Sequence, residues 1–213
     1  MRSTGTLNAP SVALDAPADL DTLTIRDVFP ISVALYEKLG RSGDLTPDDS
    51  VELIYGRIIR KPMKNEAHIL VSNLLNRWLN RVLPDGWFVS IENPVALDWS
   101  MPEPDASVVR GTERDYAERR ITPGDIGLLV EVSDSTLTGD RGIKLHMYAE
   151  AGIVAYWIIN IPDRQIEAYT QPRIEQNGTA RYATQTMYTA DDSLPLVLDG
   201  AAIAAIRVRD LLP

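Results

Sequence analysis

Residues 127–160 read GLLVEVSDSTLTGDRGIKLHMYAEAGIVAYWIIN, and the fold is decided there. The first six residues form a nearly unbroken apolar run, as in a strand covered on both faces. Residues Thr136 to Glu150 carry apolar positions at helical spacing and stop at Gly152. Ile153 to Asn160 is a second buried strand. A strand, a helix and a strand in immediate succession build a sheet with a helix laid on it.

Working toward the N-terminus, residues Asn65 to Leu83 repeat apolar side chains at helical spacing (Ile69, Leu70, Leu74, Leu75, Trp78, Leu79, Val82), with Pro84 and Gly86 as the stop. Trp87 to Trp99 reads as extended chain bent near Pro94. Asp105 to Val109 reads as a short strand introduced by Pro102 and Pro104, and a charged helical turn follows at 113–120. VELIYGRIIRK, residues 51–61, reads as two short strands pivoting on Gly56. Residues 31–40 predict a short helix ending at Gly40, and residues 1–24 a flexible tail. Toward the C-terminus, 164–170 pairs with the last buried strand across a Pro162-Asp163 turn, and 181–188 and 194–198 add shorter strands. The expectation is one mixed α/β (α+β) domain over 25–213, with a central mixed sheet flanked by two long helices and an N-terminal β-hairpin.

Composition narrows the function. The 213 residues are 45% hydrophobic and 24% charged, ordinary for a globular protein. No apolar run is long enough to span a bilayer, and the N-terminus lacks the basic and apolar blocks of a secretory signal. The absence of cysteine excludes disulfides and thiolate metal sites. A cytoplasmic location is expected. The net charge of −9 opposes nucleic-acid binding, but residues 51–84 run the other way. There Arg57, Arg60, Lys61, Lys64, Arg77 and Arg81 face only Glu52 and Glu66, a basic stretch compatible with a phosphate-bearing substrate.

Three features carry chemistry. In PEPDASVV, two prolines stiffen the approach to Asp105, which aims one carboxylate. In LLVEVSDST, Glu131 lies at the end of an apolar strand, where a lone carboxylate needs a partner or a metal, and Ser133 shares its face. In DRGIKLHMYAEAG, residues Asp140, Lys144 and Tyr148 are four apart and form one stripe. Hard divalent ions such as Mg²⁺ or Mn²⁺ take one or two carboxylates plus water and substrate oxygens. Asp105 and Glu131 supply that set if adjacent strands bring them together. An ammonium beside them would stabilise charge on a phosphate, and Lys144 is placed to supply it from the following helix.

These residues, Asp105, Glu131-Val132-Ser133 and Lys144, resemble the PD-(D/E)XK restriction-endonuclease-like superfamily and, within it, the Uma-type endonuclease family. The resemblance runs from about residue 50 to about residue 170 and includes VELIYGRII, His68, ENPVALDWSMPEPD, the stretch from Leu128 to Ile153, and YWIINI. It implies an active site at the open edge of a sheet, with Asp105 and Glu131 as metal ligands, Lys144 as a displaced catalytic lysine, Glu52 as an accessory acid and His68 near the mouth. It also implies a nucleic-acid substrate, DNA, and a homodimer. Glu92 departs from the family pattern, which usually has glutamine before Asn-Pro.

Each signal has a plainer reading. Asp105 can cap a turn, Lys144 can pair with Asp140 on a helix surface, and Glu52 can face Arg57 or Lys61 from a surface strand. His68 can be a packing residue. Tyr148 and Trp157 read as core residues, His146 carries no role, and Asp134, Ser135 and Thr136 read as helix caps. Two functions remain open on the sequence: a metal-dependent endonuclease, and a non-catalytic interaction or oligomerisation module that retains the nuclease fold.

Overall fold

The computed structural model describes residues 28–213, so the expected tail at 1–24 lies outside the described residues. Elements follow in the order α1 (Val33–Ser42), β1 (Val51–Ile54), β2 (Arg57–Arg60), α2 (Glu66–Val82), β3 (Trp87–Ile91), β4 (Ala106–Arg110) and β5 (Ile126–Ser133). After these come α3 (Leu137–Gly139), α4 (Leu145–Glu150), β6 (Ala155–Asn160), β7 (Gln165–Ile174), β8 (Ala180–Thr189), β9 (Ser193–Leu198) and β10 (Ala201–Arg207).

Strands β3 to β8 form one sheet in chain order, antiparallel except for the parallel pair β5–β6 joined over α3 and α4. The continuous apolar reading of β5 is explained here, since all eight of its residues are buried. Side chains alternate between two cores. Ala106, Val108, Leu128, Val130, Val132, Trp157 and Ile159 meet Val71, Leu75, Trp78 and Leu79 of α2 on one face. Val109, Leu129, Tyr156, Ile158 and Tyr169 meet Met147, Tyr148 and Ile153 on the other. The mixed sheet, its two covering helical layers and the N-terminal hairpin agree with the sequence reading.

The differences have local causes. The first helix runs on past Gly40 and ends at Gly43, whose φ of 82° gives the left-handed cap. The hairpin β1–β2 turns through Tyr55 and Gly56, both at positive φ, so the pivot involves two residues. The second long helix is interrupted. A π-turn occupies Asp140–Lys144 between α3 and α4, with the Leu145 N–H bonded to the Asp140 carbonyl five residues back. Thr136 precedes α3 without a side-chain cap, and Asp134 accepts a hydrogen bond from Asn65 instead. Strand β10 has no counterpart in the sequence reading. It pairs with β9, whose Leu194, Leu196 and Leu198 point into the α2 face of the core.

Candidate active site

Four backbone segments converge at one end of β5. Strand β4 pairs with β5 so that Ala106 lies across from Val130. Asp105 immediately precedes β4 and so enters beside the end of β5 that carries Glu131, where the Val132 N–H reaches it. The proline-stiffened approach is fixed by backbone pairing: Val95 N–H bonds to Pro102 O at 2.9 Å, and Met101 exchanges hydrogen bonds with Leu53 of β1. Asp105 is then locked by three donors. Val132 N–H reaches its Oδ2 at 2.8 Å, while Lys64 Nζ at 2.8 Å and His68 Nε2 at 2.9 Å reach Oδ1.

Glu131 sits on β5 with Lys144 Nζ at 3.0 Å and Tyr148 Oη at 2.8 Å, both donating to Oε1. Among the described residues, its Oε2 carries no hydrogen bond. Lys144 also lies 3.4 Å from Glu52 Oε1 and 3.8 Å from Asp140 Oδ1. Glu52 Oε2 accepts the Glu103 N–H at 3.2 Å, which ties β1 to the segment leading into Asp105. Asp140 accepts from Ser133 Oγ at 2.7 Å.

The structure therefore brings Glu131, Lys144 and Glu52 into direct contact and sets Asp105 beside them. Glu52 is 6% exposed, so it is a buried member of the cluster rather than a surface partner of Arg57 or Lys61. Lys144 is likewise no surface helix lysine. His68 has a polar partner in the site, and Tyr148, though core, brings its hydroxyl to Glu131. His146 lies on a different contact, 2.9 Å from the Ala180 carbonyl. Trp157 is core, stacked with Trp78. The sequence reading missed Lys64 as a site residue, having placed it only within a basic stretch. It gave Asp140 no site role and offered it only as a surface partner in the plainer reading of Lys144, whereas Asp140 is 2% exposed. The stripe of Asp140, Lys144 and Tyr148 at spacings of four was the available signal for the latter.

Charge is strongly perturbed here. Burial pushes Glu131 well above the usual carboxylate range, with Asp140, Asp105 and Glu52 adding to it and Lys144 opposing. Burial would also raise Asp105, but the hydrogen bonds and charges of His68 and Lys64 outweigh it and hold its carboxyl below the usual range. Burial works against the Lys144 ammonium, yet Glu131, Glu52 and Asp140 hold it above the ordinary lysine range, so it stays protonated.

All these groups line one cavity of about 730 Å³. Its walls carry seven carboxylates (Glu52, Glu92, Glu103, Asp105, Glu131, Asp134, Asp140) against Arg60, Lys61, Lys64 and Lys144. The excess is negative. Among the described residues, no three His, Asp or Glu side chains are already grouped at metal-ligand spacing. A magnesium-class ion needs only one or two carboxylates, the rest being water and substrate oxygens. Asp105 and Glu131, with the free Oε2, fit that requirement.

A central mixed sheet with a carboxylate- and lysine-lined cavity at one end of its middle strand defines a restriction-endonuclease-like protein. The chain belongs to the Uma2 family, described as "Putative restriction endonuclease", whose profile matches residues 33–205. Its fold is similar to that of a crystal structure described as "a putative nuclease belonging to DUF820 from Anabaena variabilis ATCC 29413". The two align with a TM-score of 0.64 over 85% of this chain and 97% of that one, at 18% identity, so the likeness concerns fold alone. Among curated proteins, none matches this chain. No helix among the described residues is long and apolar enough to cross a membrane.

Proposed function

We propose that this chain is a divalent-metal-dependent endonuclease that hydrolyses DNA phosphodiester bonds. Asp105 and Glu131 hold Mg²⁺ or Mn²⁺, Lys144 is the catalytic ammonium, and Glu52 supports it. The observation that carries the reading is the Lys144 ammonium, held 3.0 Å from Glu131 and 3.4 Å from Glu52 in the cavity that Asp105 also lines. An anionic phosphodiester entering a cavity with excess carboxylate is repelled unless a further cation neutralises it. A bound divalent ion would supply that charge and would activate water for attack on phosphorus.

The chain's own groups do the rest. The protonated Lys144 stabilises negative charge developing on the phosphoryl oxygens, in a site walled by buried groups where such an interaction is strong. Glu52 and Glu131 fix the ammonium from two sides. The Val132 N–H and His68 hold the Asp105 carboxylate in one orientation. On the same reading the domain spans residues 25–213, works in the cytoplasm and acts as a homodimer. Ile174, Met187 and Val197, exposed on the C-terminal strands, offer apolar surface for the pairing.

A second reading is favoured by one observation: Lys64 and Lys144 already lie on Asp105 and Glu131, as in a module that keeps the fold and occupies those two carboxylates with its own lysines. Titration calorimetry with Mn²⁺ separates the two. The endonuclease reading expects a saturable binding heat that disappears in Glu131→Ala. No heat with millimolar Mn²⁺ would leave the non-catalytic module.

A further inference from the structure

A second concavity, of about 460 Å³, lies along the C-terminal half of α2. There Leu74, Arg77, Trp78 and Arg81 face Arg207 at the end of β10 and Asp210 beyond it. Several other arginines of this acidic chain hold carboxylates: Arg110 holds Asp199, Arg119 holds Asp125, and Arg141 holds Glu167. Arg77, Arg81 and Arg207 hold none among the described residues, and Asp210, although it lines the same cavity, is outside ion-pair distance of all three. Arg77 and Arg81 are also one turn apart on α2, a spacing at which like charges repel. The negative end of the α2 dipole favours Arg81, in the last turn, but does not account for Arg77 or Arg207.

Three guanidinium groups from two elements remote in sequence thus line one cavity whose single lining carboxylate among the described residues, Asp210, pairs with none of them. The groups are exposed, and their donor forks match phosphate oxygens. We propose that this cavity seats backbone phosphates of the nucleic-acid substrate, as an anchor separate from the reaction cavity. The inference rests on the nucleic-acid reading above. From His68 to Arg77 and Arg81 the helix advances roughly 14 to 20 Å at about 1.5 Å per residue. That separation corresponds to several base pairs at about 3.4 Å each. A strand already held at one end supplies its distant phosphates at high effective concentration, an advantage a free anion lacks at such an exposed site. Contacts of this kind carry affinity and register rather than sequence preference.

The test uses the full chain and a fluorescein-labelled DNA duplex of about 20 base pairs, with Ca²⁺ present and anisotropy read over a range of NaCl concentrations. The variant Arg77→Gln/Arg81→Gln/Arg207→Gln is compared with a charge-matched control, Arg114→Gln/Arg173→Gln/Arg181→Gln. Each lost phosphate contact flattens the slope of log affinity against log salt by about 0.9. The anchor predicts a flattening of roughly 1 to 3 in the first variant and none in the control. An unchanged slope, or equal flattening in both, overturns the anchor and leaves the nucleic-acid reading intact. No duplex binding by the wild type removes both. A parallel melting series with inorganic phosphate identifies the remaining source: saturable stabilisation lost in the first variant, with its DNA slope unchanged, assigns the cavity to a free anion and overturns the strand proposal.

Discussion

Lys144 donates to Glu131 at 3.0 Å although one residue belongs to a buried strand and the other to a helical run that begins after that strand has ended. The π-turn at Asp140–Lys144 lies at the centre of that relationship. Arg141, within the turn, is held by the fully buried Glu167 of β7 at 2.6 Å, and Tyr156 Oη donates to the Asp140 carbonyl at 3.2 Å. Asp140 and Lys144 flank Arg141 in this turn and approach the sheet together.

Removing the ammonium leaves three buried carboxylates facing one another. Lys144→Met is expected to lower stability by about 3–5 kcal/mol, the usual range when one partner of a buried ion pair is deleted. Urea unfolding of wild type and variant at pH 8 measures the difference.

Stability also depends on pH through Glu131. Its folded pKa, about 8, lies above its ordinary value of 4.5, so the folded state binds the proton more tightly. That contribution is complete below pH 4.5 and is lost as pH rises toward about 8. Asp140, also raised by burial, acts in the same direction. Asp105 has the opposite sign: its lowered pKa stabilises the fold above the ordinary aspartate range and is lost only in strong acid. Thermal unfolding of wild type is therefore expected to shift down between pH 5 and pH 8 by on the order of a few kcal/mol. Glu131→Gln should flatten this slope, and an equal slope in the variant would assign the loss to other groups.

The π-turn depends on Glu167. Replacing it by Gln removes the charge held by Arg141 and weakens acceptors used by Tyr169 and Asn160. A loss of about 1–3 kcal/mol is expected. Amide hydrogen exchange should accelerate over residues 140–145 more than over β5, which isolates the turn from the sheet.

Gly127 has no room for a side chain. A Cβ there would stand 2.6 Å from the Trp87 ring and 2.8 Å from Leu198 of the C-terminal hairpin. Gly127→Ala is expected to cost about 1–3 kcal/mol as the hairpin and β3 give way, read as a lower urea midpoint with an unchanged m-value.

The sheet and its two core faces were legible because periodicity reports burial directly: the unbroken apolar run of β5 and the spacing along α2 need no tertiary information. The pairing of Glu131 with Lys144 was legible for a related reason, since a buried strand carboxylate requires a cation and the next helix offers one. Lys64 was not legible. It reaches Asp105 from just before α2, and only the folded approach of two distant segments joins them. The π-turn was hidden because its support comes from Glu167 and Tyr156, on strands beyond the motif. Strand β10 was hidden by composition: AAIAAIR has weak strand propensity, and the pairing with β9 defines it.

The most direct test is cleavage of supercoiled plasmid DNA by purified wild type, Asp105→Asn and Lys144→Met with Mg²⁺ or Mn²⁺, and with EDTA as control. The account predicts nicking by wild type that requires the metal and falls by at least about a hundredfold in both variants while each keeps the wild-type circular dichroism spectrum. Cutting of equal rate in wild type and variants, or folded wild type that leaves the plasmid intact with either ion, would contradict it.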